Sequence, residues 1–199
     1  MVQQNRRERK KEETRGRILK AAFKLFVQNG FESTTIDQIA DEADIGKGTF
    51  YNYFSSKEAA LNGFIDELTV QRGQRIWADI LELPDTRQRL VKSYQSITSW
   101  SGQYPDLIRV YALQLVNEAM EEDEEDRPNN NDLYFAEIIK MGQEAGDIRD
   151  DIDVVQLVRY LNAIFLIQVC KWLQGGAGSG FQESVTQGVD FFLIGALST

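Results

Sequence analysis

The stretch Lys47-Gly48-Thr49-Phe50-Tyr51-Asn52-Tyr53-Phe54 sets a cation, hydroxyl groups and an amide among two phenylalanines four residues apart. If Phe50 and Phe54 turn into a core, the opposite face of Lys47–Tyr53 presents Lys47, Thr49, Asn52 and Tyr53. Asparagine pairs bidentately with adenine, threonine meets a thymine methyl, and lysine reaches guanine or phosphate. Gly48 lets backbone approach a phosphate closely, and a helix N-terminus supplies free amide donors. This is the chemistry of nucleic-acid recognition. The usual groups for bond-making are scarce: there is no histidine, one cysteine (Cys170), no glycine-rich phosphate loop and no spaced metal-ligand cluster. A non-enzyme is expected, with no catalytic residues, no metal and no cofactor. Carboxylates alone can still act, so the competing class is an enzyme built on the helical body, distinguishable by a turnover screen against small lipophilic esters or glycosides.

Short helices must position that face. Thr34-Thr35 is a start signal, with Thr35 and Gln38 at capping-box spacing and Asp37 suited to a helix N-terminus. The helix 36–43 shows Ile36, Ile39, Ala40 and Ala43 on one side, then breaks at Asp44-Ile45-Gly46. A second segment, 47–54, follows, and Ser55 with Glu58 has the spacing of a further capping box. Upstream, Ile18, Leu19, Ala22, Phe23 and Phe26 form one apolar stripe opposite Arg17, Lys20 and Lys24. Asn29-Gly30 stops that helix, and Phe31 can fold back on the stripe. Two short helices joined by a tight turn form a helix-turn-helix, whose second helix enters the major groove.

The segments Thr34-Thr35-Ile36-Asp37-Gln38-Ile39-Ala40, Lys47 to Phe54, and Ser56-Lys57-Glu58 together resemble the DNA-binding signature of the TetR (tetracycline repressor) family, over about residues 15–62. The resemblance implies operator contacts from Thr34, Thr35, Lys47, Gly48, Thr49, Tyr51, Asn52, Tyr53 and Lys57, with Tyr51 and Tyr53 against the sugar-phosphate backbone. Gly46 stands where the family often has serine, which removes a hydroxyl; glycine still serves as a cap. The resemblance further implies a homodimer, with the last two helices of each subunit in a four-helix bundle and a ligand cavity among the middle helices. The expected function is a regulator, most often a repressor, that binds a palindromic operator and is released by a small inducer.

The remaining chain is consistent with this. Its 199 residues are 42% hydrophobic, and only three prolines (Pro84, Pro105, Pro128) punctuate long helix-periodic stretches. An all-α fold of about nine helices is expected, with 1–62 as N-terminal arm and DNA-binding domain and 63–199 as ligand-sensing and dimerisation domain. Further helices are predicted at about 86–102, 105–120, 131–145, 152–174 and 181–197. Net charge is -9, which opposes a DNA partner until its distribution is considered. Residues 1–24 carry nine basic and three acidic side chains, whereas 61–199 carry 11 basic and 22 acidic ones. The basic head can meet DNA while the acidic body opposes wide coating, which disfavours an architectural binder without sequence preference. Arg6–Lys11 is read as an arm touching phosphates or the minor groove, the alternative being a solvated end.

Helix 152–174 is apolar nearly all round, and Phe191 to Ile194 repeat the pattern, so each needs a second partner. Leu161, Phe165, Val169, Phe191, Phe192 and Ile194 are the expected dimer surface, against the alternative that these helices are central to their own domain. Trp77, Trp100, Tyr104, Tyr111, Phe135, Phe165 and Trp172 are candidates to line a pocket for a lipophilic or aromatic ligand, although each would equally serve as plain core. The acidic run Glu121–Asp126 reads as a solvated loop, and Cys170 as an inert buried thiol. No stretch reaches about 18 consecutive apolar residues, so no membrane span and a cytoplasmic location are expected.

Overall fold

The computed structural model describes residues 6–118, 130–178 and 180–196. Among them the regular structure is helical, with an isolated bridge at Ile148 and no strand. The acidic run Glu121–Asp126 and Pro128 lie outside the described residues. The chain divides into two compact units, Met1–Ile65 and Asp66–Thr199.

In the first unit, α1 (Arg6–Asn29) buries Ile18, Leu19, Ala21, Ala22 and Phe26. Its helix begins at Arg6, so the basic residues Arg6–Lys11, expected as an arm, are the first turns of α1 instead. The expected stop holds: Gly30 takes φ +83°, its N–H donates to the Phe26 carbonyl at 3.0 Å, and Phe31 packs on Phe26 with ring centroids 4.9 Å apart. Next, α2 (Ile36–Glu42) starts from the expected capping box. Thr35 Oγ1 accepts from the Gln38 N–H at 3.3 Å, and Gln38 Oε1 accepts from the Thr35 N–H at 2.9 Å. The turn that follows places Asp44, not a glycine, at φ +52°, a conformation aspartate tolerates better than most side chains.

The recognition segment α3 is short, Lys47–Tyr51, with Gly46 as an N-cap that has no side-chain bond. Then α4 (Lys57–Leu81) opens on Ser56, whose Oγ accepts the Ala59 N–H at 3.1 Å. The cap is thus Ser56 rather than Ser55, because the helix begins one residue later than the spacing of Ser55 and Glu58 indicates. Ile39, Ala40, Phe50, Phe54, Ala60, Leu61 and Ile65 complete this core, and Phe23 stacks on Phe64 at 4.0 Å. The unit boundary falls inside α4.

The second unit contains the rest of α4 and α5 (Thr86–Thr98), a 3-10 turn (Ser101–Gln103), α6 (Pro105–Glu118), α7 (Asn130–Ala145), α8 (Val154–Gln174) and α9 (Phe181–Ala196). Asp85 and Asp153 cap α5 and α8 by accepting the Gln88 and Val155 amides. The helix expected to reach residue 102 ends at Thr98, and the 3-10 turn takes up the remainder. α8 packs against α6, α7 and α9, and α5 against α7 and α9. Gly188 permits close approach of α9 to α8, since a Cβ there would lie 3.2 Å from Ile164 and 3.3 Å from Gln168. By length and composition α8 is apolar enough to cross a membrane, although no run within it reaches 18 consecutive apolar residues. Arg159, Asn162 and Gln168 interrupt its apolar run, and Leu157, Val158, Leu161, Val169, Trp172 and Leu173 are buried within the unit.

Candidate nucleic-acid interface

The helix-turn-helix face comes from what its core consumes. Phe50 is fully buried and Phe54 nearly so, with ring centroids 6.0 Å apart. That commitment leaves Lys47, Gly48, Tyr51 and Asn52 exposed and Thr49 and Tyr53 half-buried along one outer surface. Tyr51, half exposed, sets its ring edge-on to Phe50 at 5.8 Å. Thr35 is exposed beside this surface at the start of α2. A Cβ added at Gly48 would meet nothing within 4 Å, so the chain itself does not require a glycine there. At Gly46 the backbone is extended, with φ -75° and ψ 150°, and an added Cβ would come no closer than 4.0 Å to Thr49 Oγ1. The missing hydroxyl is therefore not a steric necessity.

Lys47 Nζ lies 2.9 Å from Asp37 Oδ2, tying the first residue of α3 to the first turn of α2. The hydrogen bond to Asp37, and then its charge, push the Lys47 ammonium above the ordinary lysine range, so it stays charged. Asp37 was legible as a helix N-terminal charge; its pairing with Lys47 depends on the angle between two helices. Lys24 and Glu42 make a second tie, at 2.6 Å, between α1 and α2. The Arg15 guanidinium lies 5.6 Å from the Phe54 ring centre.

Two residues assigned to this surface by sequence have their polar groups engaged within the unit. Thr34 is 1% exposed, and its hydroxyl donates to the Gly30 carbonyl at 2.8 Å, so its side chain serves the core. Lys57 is half-buried, and its ammonium donates to the carbonyls of Phe31, Glu32 and Thr34.

In the second unit the structure joins four of the seven pocket candidates in one run of aromatic contacts. Trp77 meets Tyr134, which meets Phe135; Phe135 stacks on Tyr94 and Tyr94 on Phe165, which leads through Phe181 to Trp172. Trp100 and Tyr104 form a separate pair at 6.0 Å, and the Tyr111 hydroxyl donates to Asp66 at 3.3 Å. Tyr94 and Tyr134 were missed. Tyr94 falls on the buried stripe of α5 with Leu90 and Ile97, a spacing visible in the sequence. Burial pushes the Tyr94 phenol far above its ordinary range, so it stays neutral. Between α5, α8 and α9 a cavity of about 10 Å³ touches Tyr94, Leu161, Phe165, Gln168 and Val189. That is room for about one water.

The expected dimer surface divides. Leu161, Val169 and Phe192 are buried within their own unit, and Phe165 is half-buried in the aromatic run, because the inner faces of α8 and α9 are consumed by α5, α6 and α7. Phe191 and Ile194 remain open, at 70% and 75% exposure, as do Tyr160 and Ile167 on α8. Cys170 is half-buried, not fully enclosed.

An exposed polar helix backed by committed phenylalanines, set across a tight turn from a capped partner, defines a helix-turn-helix protein. Residues 18–62 match the family described as bacterial regulatory proteins, tetR family. The chain is 29% identical over 192 residues to the HTH-type transcriptional repressor KstR2 of Rhodococcus jostii (strain RHA1), covering 92% of this chain and 91% of that protein. It is 26% identical over 166 residues to KstR2 of Mycobacterium tuberculosis (strain ATCC 25618 / H37Rv), covering 81% and 82%. The crystal structure of FadR from Thermus thermophilus, a TetR family transcriptional repressor in complex with lauroyl-CoA, superposes with a TM-score of 0.71 at 25% identity, covering 93% of this chain and 96% of that one. Residues 18–62 thus carry the DNA-binding region of that family, and along most of its length the chain is similar to transcriptional repressors.

Proposed function

We propose that this protein is a transcriptional repressor that binds a palindromic operator as a homodimer and is released by a small lipophilic ligand. The observation that carries the DNA reading is the outer face of α3, where Lys47, Gly48, Tyr51 and Asn52 are exposed over buried Phe50 and Phe54. Thr35, Thr49 and Tyr53 flank that face and, with Lys57 at the start of α4, complete the contact set. Thr34 is left out, because its hydroxyl is engaged inside the unit. In this reading residues 1–65 read DNA, 66–199 dimerise and sense ligand, and the protein works in the cytoplasm where its operator lies.

The exposed apolar side chains Tyr160 and Ile167 on α8 and Phe191 and Ile194 on α9 support the dimer, since such a patch finds its partner in a second copy. Two symmetric recognition helices then require an inverted repeat. For the ligand, the aromatic run through Tyr94 and Phe165 offers an apolar interior, and the relative from Thermus thermophilus was crystallised with an acyl-CoA. A long-chain acyl thioester is therefore the first ligand class to test. The narrow cavity means that such a chain must open the packing of α5 against α8 and α9, which is how it would favour a second conformation.

Selection of bound sequences from random DNA tests the core of this reading, and a palindrome is the expected product. On that site Lys47→Ala lowers affinity and reduces the slope of log K against log salt by about 0.9, the value for one lost phosphate neutralisation. Enrichment of no sequence, or an unchanged slope and affinity, refutes the placement. Titration of the complex with saturated acyl-CoAs of graded length should release the DNA over a limited range of lengths.

A further inference from the structure

The geometry points to the Tyr94 hydroxyl as the donor that fixes the ligand of the second unit, and to a neutral, carbonyl-bearing apolar molecule rather than a carboxylate as the class it selects. This rests on the reading that a small lipophilic ligand releases the protein from DNA, and adds to it the chemistry of the head group. Tyr94 is 2% exposed and lies with Leu90 and Ile97 on the inner stripe of α5. Its ring stacks on Phe135 of α7 at 4.6 Å and on Phe165 of α8 at 4.7 Å. Those contacts are made by the ring alone, so a phenylalanine would serve the packing equally. The hydroxyl is the part that packing does not use. Among the described residues no atom makes a hydrogen bond with it, although a buried polar group left unpaired is costly. Other tyrosines of the unit are served: the Tyr134 hydroxyl lies 2.8 Å from Ser93 Oγ, and that of Tyr111 donates to Asp66.

The surroundings choose the ligand's chemistry. Tyr94 lines the cavity of about 10 Å³ between α5, α8 and α9, where Leu161, Phe165 and Val189 supply apolar walls. Burial, and then the negative charge of Asp132, push the phenol far above its ordinary range, so it keeps its proton and can donate it. Asp132 stands in the first turn of α7, and its Oδ1 accepts from Asn162 Nδ2 of α8 at 2.7 Å. Its charge is thus held within reach of the phenol. An unpaired donor calls for an acceptor, and an acceptor with a negative charge of its own would be repelled by Asp132 in an interior that screens charge weakly. A ketone, ester or thioester oxygen meets both conditions; a free carboxylate meets only the first. The cavity has room for about one water, so the alkyl part of such a ligand must part α5 from α8 and α9. A hydroxyl already in place for the carbonyl offsets some of that cost.

Calorimetric titration of the DNA-free protein at neutral pH with methyl decanoate and with decanoate tests this, since the two share a tail and differ in the charge of the head. Wild type should bind the ester more tightly. Tyr94→Phe should weaken the ester about tenfold, as for a buried hydrogen bond lost with its acceptor left unpaired, weaken decanoate less, and melt no lower than wild type without ligand. Asp132→Asn should narrow the preference for the ester while keeping the Tyr94 hydroxyl, and it decides alone if Tyr94→Phe does not fold. Equal ester affinity in wild type and Tyr94→Phe, an unchanged preference in Asp132→Asn, tighter binding of decanoate by wild type, or binding of neither molecule overturns the proposal. So does a lower melting temperature of ligand-free Tyr94→Phe, which would show that the hydroxyl already has a partner. Release of operator DNA by acyl-CoAs from wild type and Tyr94→Phe alike would sink this inference and leave the ligand reading intact. A wild type that selects no sequence fails the DNA reading without touching the calorimetry.

Discussion

At the scale of single residues, Lys47 and Lys57 show how little the type of a side chain says about its surroundings. Both are lysines at the edges of the recognition segment. Lys47 is exposed and paired with one carboxylate, which a phosphate can replace at small cost because exposed ion pairs contribute little. Lys57 is half-buried and donates to three carbonyls of the α1–α2 connection. Thr34 and Thr35 divide in the same way, one turned into the core and the other capping α2. Thr35→Ala should cost about 1 kcal/mol, the usual value of an N-cap. Thermal denaturation measures it, and a melting temperature equal to wild type would mean that the capping box does not form in solution.

Among the helices, close approaches in the second unit depend on residues that are small for a reason. A Cβ at Gly73 of α4 would lie 2.6 Å from the Tyr134 ring, which is held by Trp77, by Phe135 and by a 2.8 Å hydrogen bond between its hydroxyl and Ser93 Oγ. Gly73→Ala should therefore destabilise by about 1–3 kcal/mol, as overpacking does, although alanine is the better helix former. A gain in melting temperature would show that the ring has room to move. Arg87 of α5 grips Asp190 of α9 through two hydrogen bonds, at 2.5 and 3.0 Å. The bond to Arg87 holds the Asp190 carboxyl below its ordinary value of 3.8. A depressed carboxylate contributes stability that is full above the unfolded value and is lost as pH falls through the folded one. Asp190→Asn should thus be slightly less stable than wild type at neutral pH, by less than about 1 kcal/mol for so exposed a pair. The gap should close below pH 3.8. Denaturant titrations at neutral and acid pH check it, and a gap independent of pH would rule out the ion pair as its source.

For the whole molecule, charge and apolar surface are separately placed. The first unit has 11 basic and nine acidic side chains, the second 11 and 22, so the long-range attraction to DNA is confined to the first. The exposed apolar residues of α8 and α9 belong to the acidic unit, so in the proposed dimer a second copy would have to overcome like charge by burying Phe191 and Ile194. Phe191→Asp should convert the dimer to monomer in sedimentation or light scattering and weaken operator binding, since two linked recognition helices bind far more tightly than one. A variant that stays dimeric would move the interface off this face of α9.

What the sequence by itself determined were the features carried by neighbours along the chain. The helix starts and stops, the capping box at Thr35, the break at Gly30 and the commitment of Phe50 and Phe54 each depend on residues within about four positions of one another. Local spacing was therefore enough to find the recognition segment. Tertiary structure alone decided which side chains remained free to act. Lys57 meets carbonyls some 25 residues away, Leu161, Val169 and Phe192 are consumed by helices of their own unit, and four of the aromatic candidates join through Tyr94, Tyr134 and Phe181. The physical reason is that apolar periodicity states how much of a helix must be buried, whereas the identity of the neighbour that buries it depends on how distant segments pack.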